Sequence, residues 1–192
     1  MPVQIGMGVH GFSDPTAFLS DCHRRIEMFT DSLEAVARVV SHPPTEDTER
    51  ALTSALRYFR ESAPKHTADE EESMFPRLRQ IQHLDAQSAI QKLEQLEDDH
   101  RAAAPLHAKI ESLGQLYLSK GSLSLAEARD FAEAVASLKS LYRQHIKVEE
   151  QLVFPIAARL LSISDQTSIG EEMAARRGVR MSPVNPSAGD LT

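Results

Sequence analysis

His145-Ile146-Lys147-Val148-Glu149-Glu150-Gln151-Leu152-Val153-Phe154-Pro155 repeats a frame already present at His66-Thr67-Ala68-Asp69-Glu70-Glu71-Glu72-Ser73-Met74-Phe75-Pro76. Each copy reads histidine, three residues, Glu-Glu, three residues, Phe-Pro. In an α-helix, positions i and i+4 lie about 40° apart around the axis and one turn apart along it, so each copy aims an imidazole and a carboxylate at one point. Two such helices facing each other make a metal site.

The repeat is longer than this frame. His23 lies 43 residues before His66, and His100 lies 45 residues before His145. The chain therefore reads as two copies of one helical hairpin, which places four histidines and two glutamates around a common interior. An isolated helical histidine is by default a surface residue; the register of the two halves reverses that default. Imidazoles and carboxylates inside an apolar bundle are costly unless paired or bound to metal, and metal satisfies all of them at once. The mixed donor set suits iron, with zinc, manganese or copper as alternatives, whereas calcium and magnesium favour oxygen donors alone. Because a glutamate can bridge two ions, the spacing favours a dinuclear centre with His23, His66, Glu70, His100, His145 and Glu149 as ligands. Glu71 and Glu150, at i+5, are rotated about 140° from their histidines and rank second, unless a kink at Pro64 or a local π-bulge changes the count. By the same arithmetic Phe75 and Phe154 point away from the metal and serve as packing residues.

The flanking pattern is helical. Asp14-Pro15 opens a first helix expected to run to about Val40, with Leu19, His23, Ile26, Thr30 and Leu33 on one face. Thr45 caps a second, which carries Leu52, Leu56, Phe59, His66, Glu70 and Met74 and is expected to kink at Pro64. A third begins near Asp85, passes Pro105 with another expected kink, and stops at Lys120-Gly121 with Gly121 as the left-handed terminator. Ser122 or Ser124 with Glu127 opens the fourth, which ends around Leu161. No stretch alternates with period two, so the fold class is all-α. Short connections imply an antiparallel up-down-up-down four-helix bundle over residues 14–161. Residues 1–13 read as an irregular lead-in and 162–192 as a tail, with a short helix over Gln166 to Arg177 and disorder beyond Gly178.

The totals bound the function. Across 192 residues the net charge is −7 and the isoelectric point about 5.6, which argues against nucleic acid or an anionic membrane as partner. No run of about 18 apolar residues occurs, so no membrane span is expected. The N-terminal stretch lacks the charged and apolar regions of a signal peptide, and a single cysteine, Cys22, fits a reducing compartment; the expected location is the cytoplasm. Cys22 is rotated about 100° from His23 and is expected to be buried between helices. His10, His42 and His83 fall in loops or helix ends and are expected at the surface. Arg176-Arg177 reads as a solvated segment that could dock back on the acidic domain.

The paired His-x-x-x-Glu-Glu-x-x-x-Phe-Pro frames, with the lone histidines in Asp21-Cys22-His23-Arg24-Arg25-Ile26 and Asp98-Asp99-His100-Arg101, resemble the hemerythrin-like family of HHE cation-binding domains over roughly Asp14 to Leu161. The resemblance implies two non-haem irons joined by an oxo or hydroxo bridge. In that family such a centre binds dioxygen, nitric oxide or peroxide, or serves redox and iron handling. Where the oxygen-carrying members have a second histidine one turn after the third-helix histidine, this chain has Ala104. Four histidines in place of five leave one iron short of a protein ligand. Glu27, four residues after His23, is the first candidate to replace it; Tyr58, Tyr142 and His107 are weaker ones.

These features frame the function as a diiron protein that binds or activates a small ligand, either a diatomic or peroxide, in redox, sensing or iron handling. The alternatives are a diiron enzyme that detoxifies peroxide or nitric oxide, and a metal-bound structural bundle; the protein partner is undetermined. A ferritin-like site needs two Glu-x-x-His pairs, and Glu97-Asp98-Asp99-His100 is the only one here. No Gly-x-Ser-x-Gly supports a hydrolase.

Overall fold

The computed structural model describes residues 10–181, and among these every regular element is helical. Expectations for residues 1–9 and for 182–192 lie outside the described residues. Helix α1 (Pro15–Ala37) starts where Asp14 accepts a hydrogen bond from the Ala17 amide, with Pro15 in the first turn, where its missing N–H costs nothing. It ends before Val40, because the Arg38 and Val39 amides turn back to carbonyls three residues earlier and tighten the chain into a turn.

Helix α2 (Glu46–Glu61) is capped by Thr45. Ser62 then interrupts the regular pattern, and α3 (Ala63–Ala68) restarts with Pro64 in its first turn. The proline expected to kink one long helix thus opens a new one, a position that removes no hydrogen bond. The chain next widens into a π turn, Asp69–Met74, before α4 (Phe75–Leu78). A short 3₁₀ turn, Leu84–Ala86, leads into α5 (Gln87–Lys120), which carries Pro105 in its interior and ends at Gly121, φ +80°. Ser124 and Glu127 form a reciprocal capping box for α6 (Leu125–Val148). A second π turn, Glu149–Val153, precedes α7 (Phe154–Leu160), and α8 (Ile163–Arg176) follows, capped by Ser162. The expected tail helix begins three residues earlier than its polar sequence suggested, because Ser162 supplies the cap.

Helix α1 packs against α2 and α6, and α5 packs against α6 and α2, so these four are neighbours in a ring. Inside it the apolar core is split in two. One cluster holds Ile26, Phe29, Leu33, Leu56, Tyr117, Phe131 and Leu138; the other holds Phe18, Leu19, Met74, Phe75, Leu93, Leu96, Val153 and Phe154. Along each strut the changeover falls at the repeated residues: His23 lies between Leu19 and Ile26, and His100 between Leu96 and Ala103. A polar layer crosses the bundle there.

Helix α8 closes the end of the second cluster through Ile169 and Met173. Gly170 allows this approach, since a β-carbon there would sit 2.0 Å from the Phe12 carbonyl oxygen, which is backbone and cannot swing aside. Gly170→Ala should therefore destabilise the protein by about 1–3 kcal/mol, despite the roughly 1 kcal/mol that alanine gains over glycine in a helix. Denaturant titration checks this; a more stable variant would contradict the close packing.

Candidate metal centre

All six repeated residues converge on the polar layer. His23, His66, Glu70 and Glu149 each offer one donor atom within 4.8 Å of the others, and Glu70, His100 and His145 form a second such group. Glu70 belongs to both. Within the layer, His66 Nε2 lies 3.3 Å from Glu70 Oε1, His100 Nε2 3.3 Å from Glu70 Oε2, and His145 Nε2 3.2 Å from Glu149 Oε2. His23 Nε2 lies 3.1 Å from Glu149 Oε2 and 3.9 Å from Glu70 Oε1. The first-helix histidine thus sits closer to the other half's glutamate than to its own, and the two halves interlock rather than standing as separate half-sites.

The π turns make this geometry. In both copies the phenylalanine amide donates to the carbonyl of the glutamate five residues back: Phe75 to Glu70, and Phe154 to Glu149. Pro76 and Pro155 follow immediately, and neither can supply the next amide. The extra residue per turn offsets the rotation that an ideal helix would give to everything beyond it. Phe154, about 180° from His145 on ideal counting, instead stacks on the His23 ring at 5.1 Å between centroids and 9° between planes. It packs, as expected, but against the site rather than away from it.

The second glutamate of each pair backs a histidine of the opposite half. Glu150 Oε1 is 2.7 Å from His23 Nδ1, and Ser20 Oγ donates to its other oxygen at 3.0 Å. Glu71 Oε1 is 2.8 Å from His100 Nδ1, and Asp99 Oδ2 is 3.4 Å from His145 Nδ1. With a carboxylate on the Nδ1 side, each of these rings presents Nε2 to the layer. Asp99 gave no signal in sequence, because it adjoins His100 but serves the histidine 46 residues later.

Burial drives His23 toward its neutral form, yet the Glu149 and Glu150 carboxylates beside it prevail and lift it to about 10. For His145 burial is likewise outweighed, by Glu149, and its pKa rises. Burial and the neighbouring His23 hold His66 well below the usual histidine range. Burial and the Glu149 charge push Glu70 well above the carboxylate range, whereas His145 and His23 hold Glu149 down against its own burial. Protons alone leave the layer unbalanced: His23 Nε2, His66 Nδ1, His145 Nε2 and both oxygens of Glu70 and of Glu149 are buried without a hydrogen-bond partner. His23 Nε2, His145 Nε2 and the Glu70 and Glu149 oxygens lie among the two groups of donors that could each hold a cation, so these residues fit the metal that the repeat implied.

Three expectations need correction. Glu27 is exposed. Leu19, Ile26 and Thr30 occupy the inward arc on one side of His23, and Glu27 falls about 40° to the other side. Ala104 is also exposed, while Ala103 takes the buried position next to His100's turn, so the place of a fifth histidine faces outward in this helix register. Arg176 and Arg177 are half-buried rather than a solvated segment; they take the alternative of docking back on the acidic domain, where both reach buried Asp69. Cys22 is buried, and His10, His42 and His83 are exposed, as expected. Tyr142 is buried three residues before His145, its oxygen 2.8 Å from His107 Nε2, and burial holds His107 down to about 4. Tyr58 instead donates to the Cys22 carbonyl at 3.3 Å.

The hemerythrin HHE cation-binding domain model matches residues 14–157 of this chain. An uncharacterized protein of Haemophilus influenzae is similar, 28% identical over 171 residues that span 88% of this chain and 93% of that protein. The family match extends over the polar layer and its supporting carboxylates. Glu150→Ala should weaken metal binding about 10- to 100-fold while the helical content stays unchanged, because it frees His23 without removing a donor. Competition against a chelator of known affinity reads this; an unchanged affinity would show that the carboxylate has no hold on the ring.

Proposed function

Because the chain belongs to the hemerythrin HHE cation-binding family, we propose that it is a non-haem diiron protein that binds or activates a small ligand. In this reading one iron would be held by His23, His66, Glu70 and Glu149, and the other by Glu70, His100 and His145, with Glu70 common to both groups. The observation that carries it is the set of buried, unpartnered nitrogen and oxygen atoms gathered in two groups. The donor chemistry favours iron, with zinc or manganese as lesser alternatives. An antiparallel up-down-up-down arrangement of α1, α2, α5 and α6 is supported by the short connections and by the ring of contacts.

One group offers four protein donors and the other three. The His100 and His145 side is therefore the place for dioxygen, nitric oxide or peroxide. Iron bound there would supply one-electron exchange with such a ligand. The protein's own residues do the rest. Glu71, Glu150 and Asp99 fix the rings of His100, His23 and His145, the flanking apolar clusters exclude water, and Tyr142, held protonated by burial, adds a neutral polar group near the glutamates. No described helix is long and apolar enough to cross a membrane, and the lone cysteine fits a cytoplasmic setting.

Anaerobic loading with ferrous iron should give about two irons per chain, and exposure to air should develop charge-transfer absorption. Absence of a bound transition metal would refute the reading, and a single zinc would reduce the site to a structural one. Rapid mixing with dioxygen, nitric oxide and peroxide then separates functions: reversible spectra indicate a carrier or sensor, and turnover of peroxide or nitric oxide indicates an enzyme.

A further inference from the structure

Helix α8 lies beyond residue 157, outside the segment matched by the family model, yet it grips a turn that carries a candidate ligand. Arg177 Nη2 donates to Asp69 Oδ2 at 2.6 Å and Arg177 Nη1 to Asp69 Oδ1 at 3.2 Å. Arg176 Nη1 donates to Asp69 Oδ1 at 3.0 Å and to Ser73 Oγ at 2.8 Å, and its Nη2 reaches Glu72 at 3.1 Å. From α4, Arg77 Nη1 donates to the Ser73 carbonyl at 2.8 Å and is itself held by a bidentate pair with Glu172 of α8, at 3.1 and 2.8 Å. The Arg177 guanidinium also lies over the Phe18 ring at 4.8 Å, which seats it from the other side.

The contacts to Asp69, Glu72 and Ser73 fall on the π turn Asp69–Met74. Asp69 is fully buried and directly precedes Glu70, the residue common to both donor groups. A π turn is intrinsically poorer than an α turn and persists where neighbours fix it. Among the described residues no arginine grips the second π turn: the positions matching Asp69 and Ser73 are Val148 and Leu152, which pack against the apolar cluster. One turn is held by packing and by the Glu150 contacts to Ser20 and His23, its twin by three arginines.

We infer that α8 is a strap for the metal centre, with Arg176 and Arg177 as positioning residues that hold the Asp69–Met74 turn so that Glu70 points into the histidine layer. This deepens the diiron reading and rests on it for its consequence, but the strap itself can be measured without metal. Without the strap the turn relaxes toward ordinary helix, Glu70 rotates out of the layer, and both donor groups lose their shared carboxylate.

The test uses the full chain as Arg176→Ala/Arg177→Ala, with Asp69→Asn as a second variant that breaks the same contacts from the other side. In metal-free protein, amide exchange over 69–74 should accelerate at least about tenfold while exchange over 149–153 stays as in the wild type. In iron-loaded protein, release to a chelator should quicken by about 10- to 100-fold, and Arg176→Lys/Arg177→Lys, which keeps the charge but loses the guanidinium fork, should restore only part of both properties. Leu123→Ala, which loosens the distant apolar cluster, serves as a stability control and should move neither. Equal acceleration at the two π turns, or none at either, would overturn the strap. If the wild type binds no metal, the diiron reading fails, and the exchange pattern still decides whether the strap exists.

Discussion

Seven buried atoms from two carboxylates and three imidazoles meet between two apolar clusters with no hydrogen-bond partner among the described residues. Each buried polar group left unpaired costs about 1–3 kcal/mol, so a layer that gathers several of them weighs heavily on a domain whose net stability is about 5–15 kcal/mol. A bundle gains nothing from such a layer unless something in it is to be bound. The clusters above and below are well filled, with Leu19, Leu33, Met74, Phe75, Tyr117 and Phe131 almost fully buried, so the polar residues are not strays in a loose core. The fold keeps its apolar volume at both ends and reserves the middle for coordination.

Orientation is the second demand, and the chain meets it with backbone as much as with side chains. Each glutamate's carbonyl accepts a bond from an amide five residues on, at the point where a proline ends the run of donors. That widening lets a Glu-Glu pair face two ways. The first glutamate enters the layer, and the second reaches the Nδ1 side of a histidine on the opposite half. The halves therefore depend on each other: His23 is supported from residue 150, and His100 from residue 71. Crossed support of this kind ties the two hairpins together at the centre.

Much of this was legible in the sequence, and the limits have physical causes. The six converging residues followed from spacing alone, because a repeat in register is hard to obtain by accident and a helix has one period. Helix starts at Asp14, Thr45 and Ser124 and the stop at Gly121 were readable because caps are local chemistry. The side on which Phe154 lies was misjudged, since ideal helical counting fails across a π turn; Pro76 and Pro155, each ten residues after its histidine, were the available signal. Glu27 was misplaced for the opposite reason: its i+4 spacing from His23 is correct, but His23 stands at the edge of the buried arc, and spacing cannot say on which side the interior lies. Asp99 and the Asp69 to Arg176 and Arg177 contacts join residues 46 to 108 positions apart, and such pairings appear only once the helices are packed.

The central claim is that the polar layer exists to hold two cations that share Glu70. Anomalous scattering at the iron edge from crystals of the iron-loaded protein tests it most directly. The account predicts two peaks inside the layer, one among His23, His66, Glu70 and Glu149, the other among Glu70, His100 and His145. A layer without a peak, or iron bound only at surface carboxylates, would contradict it.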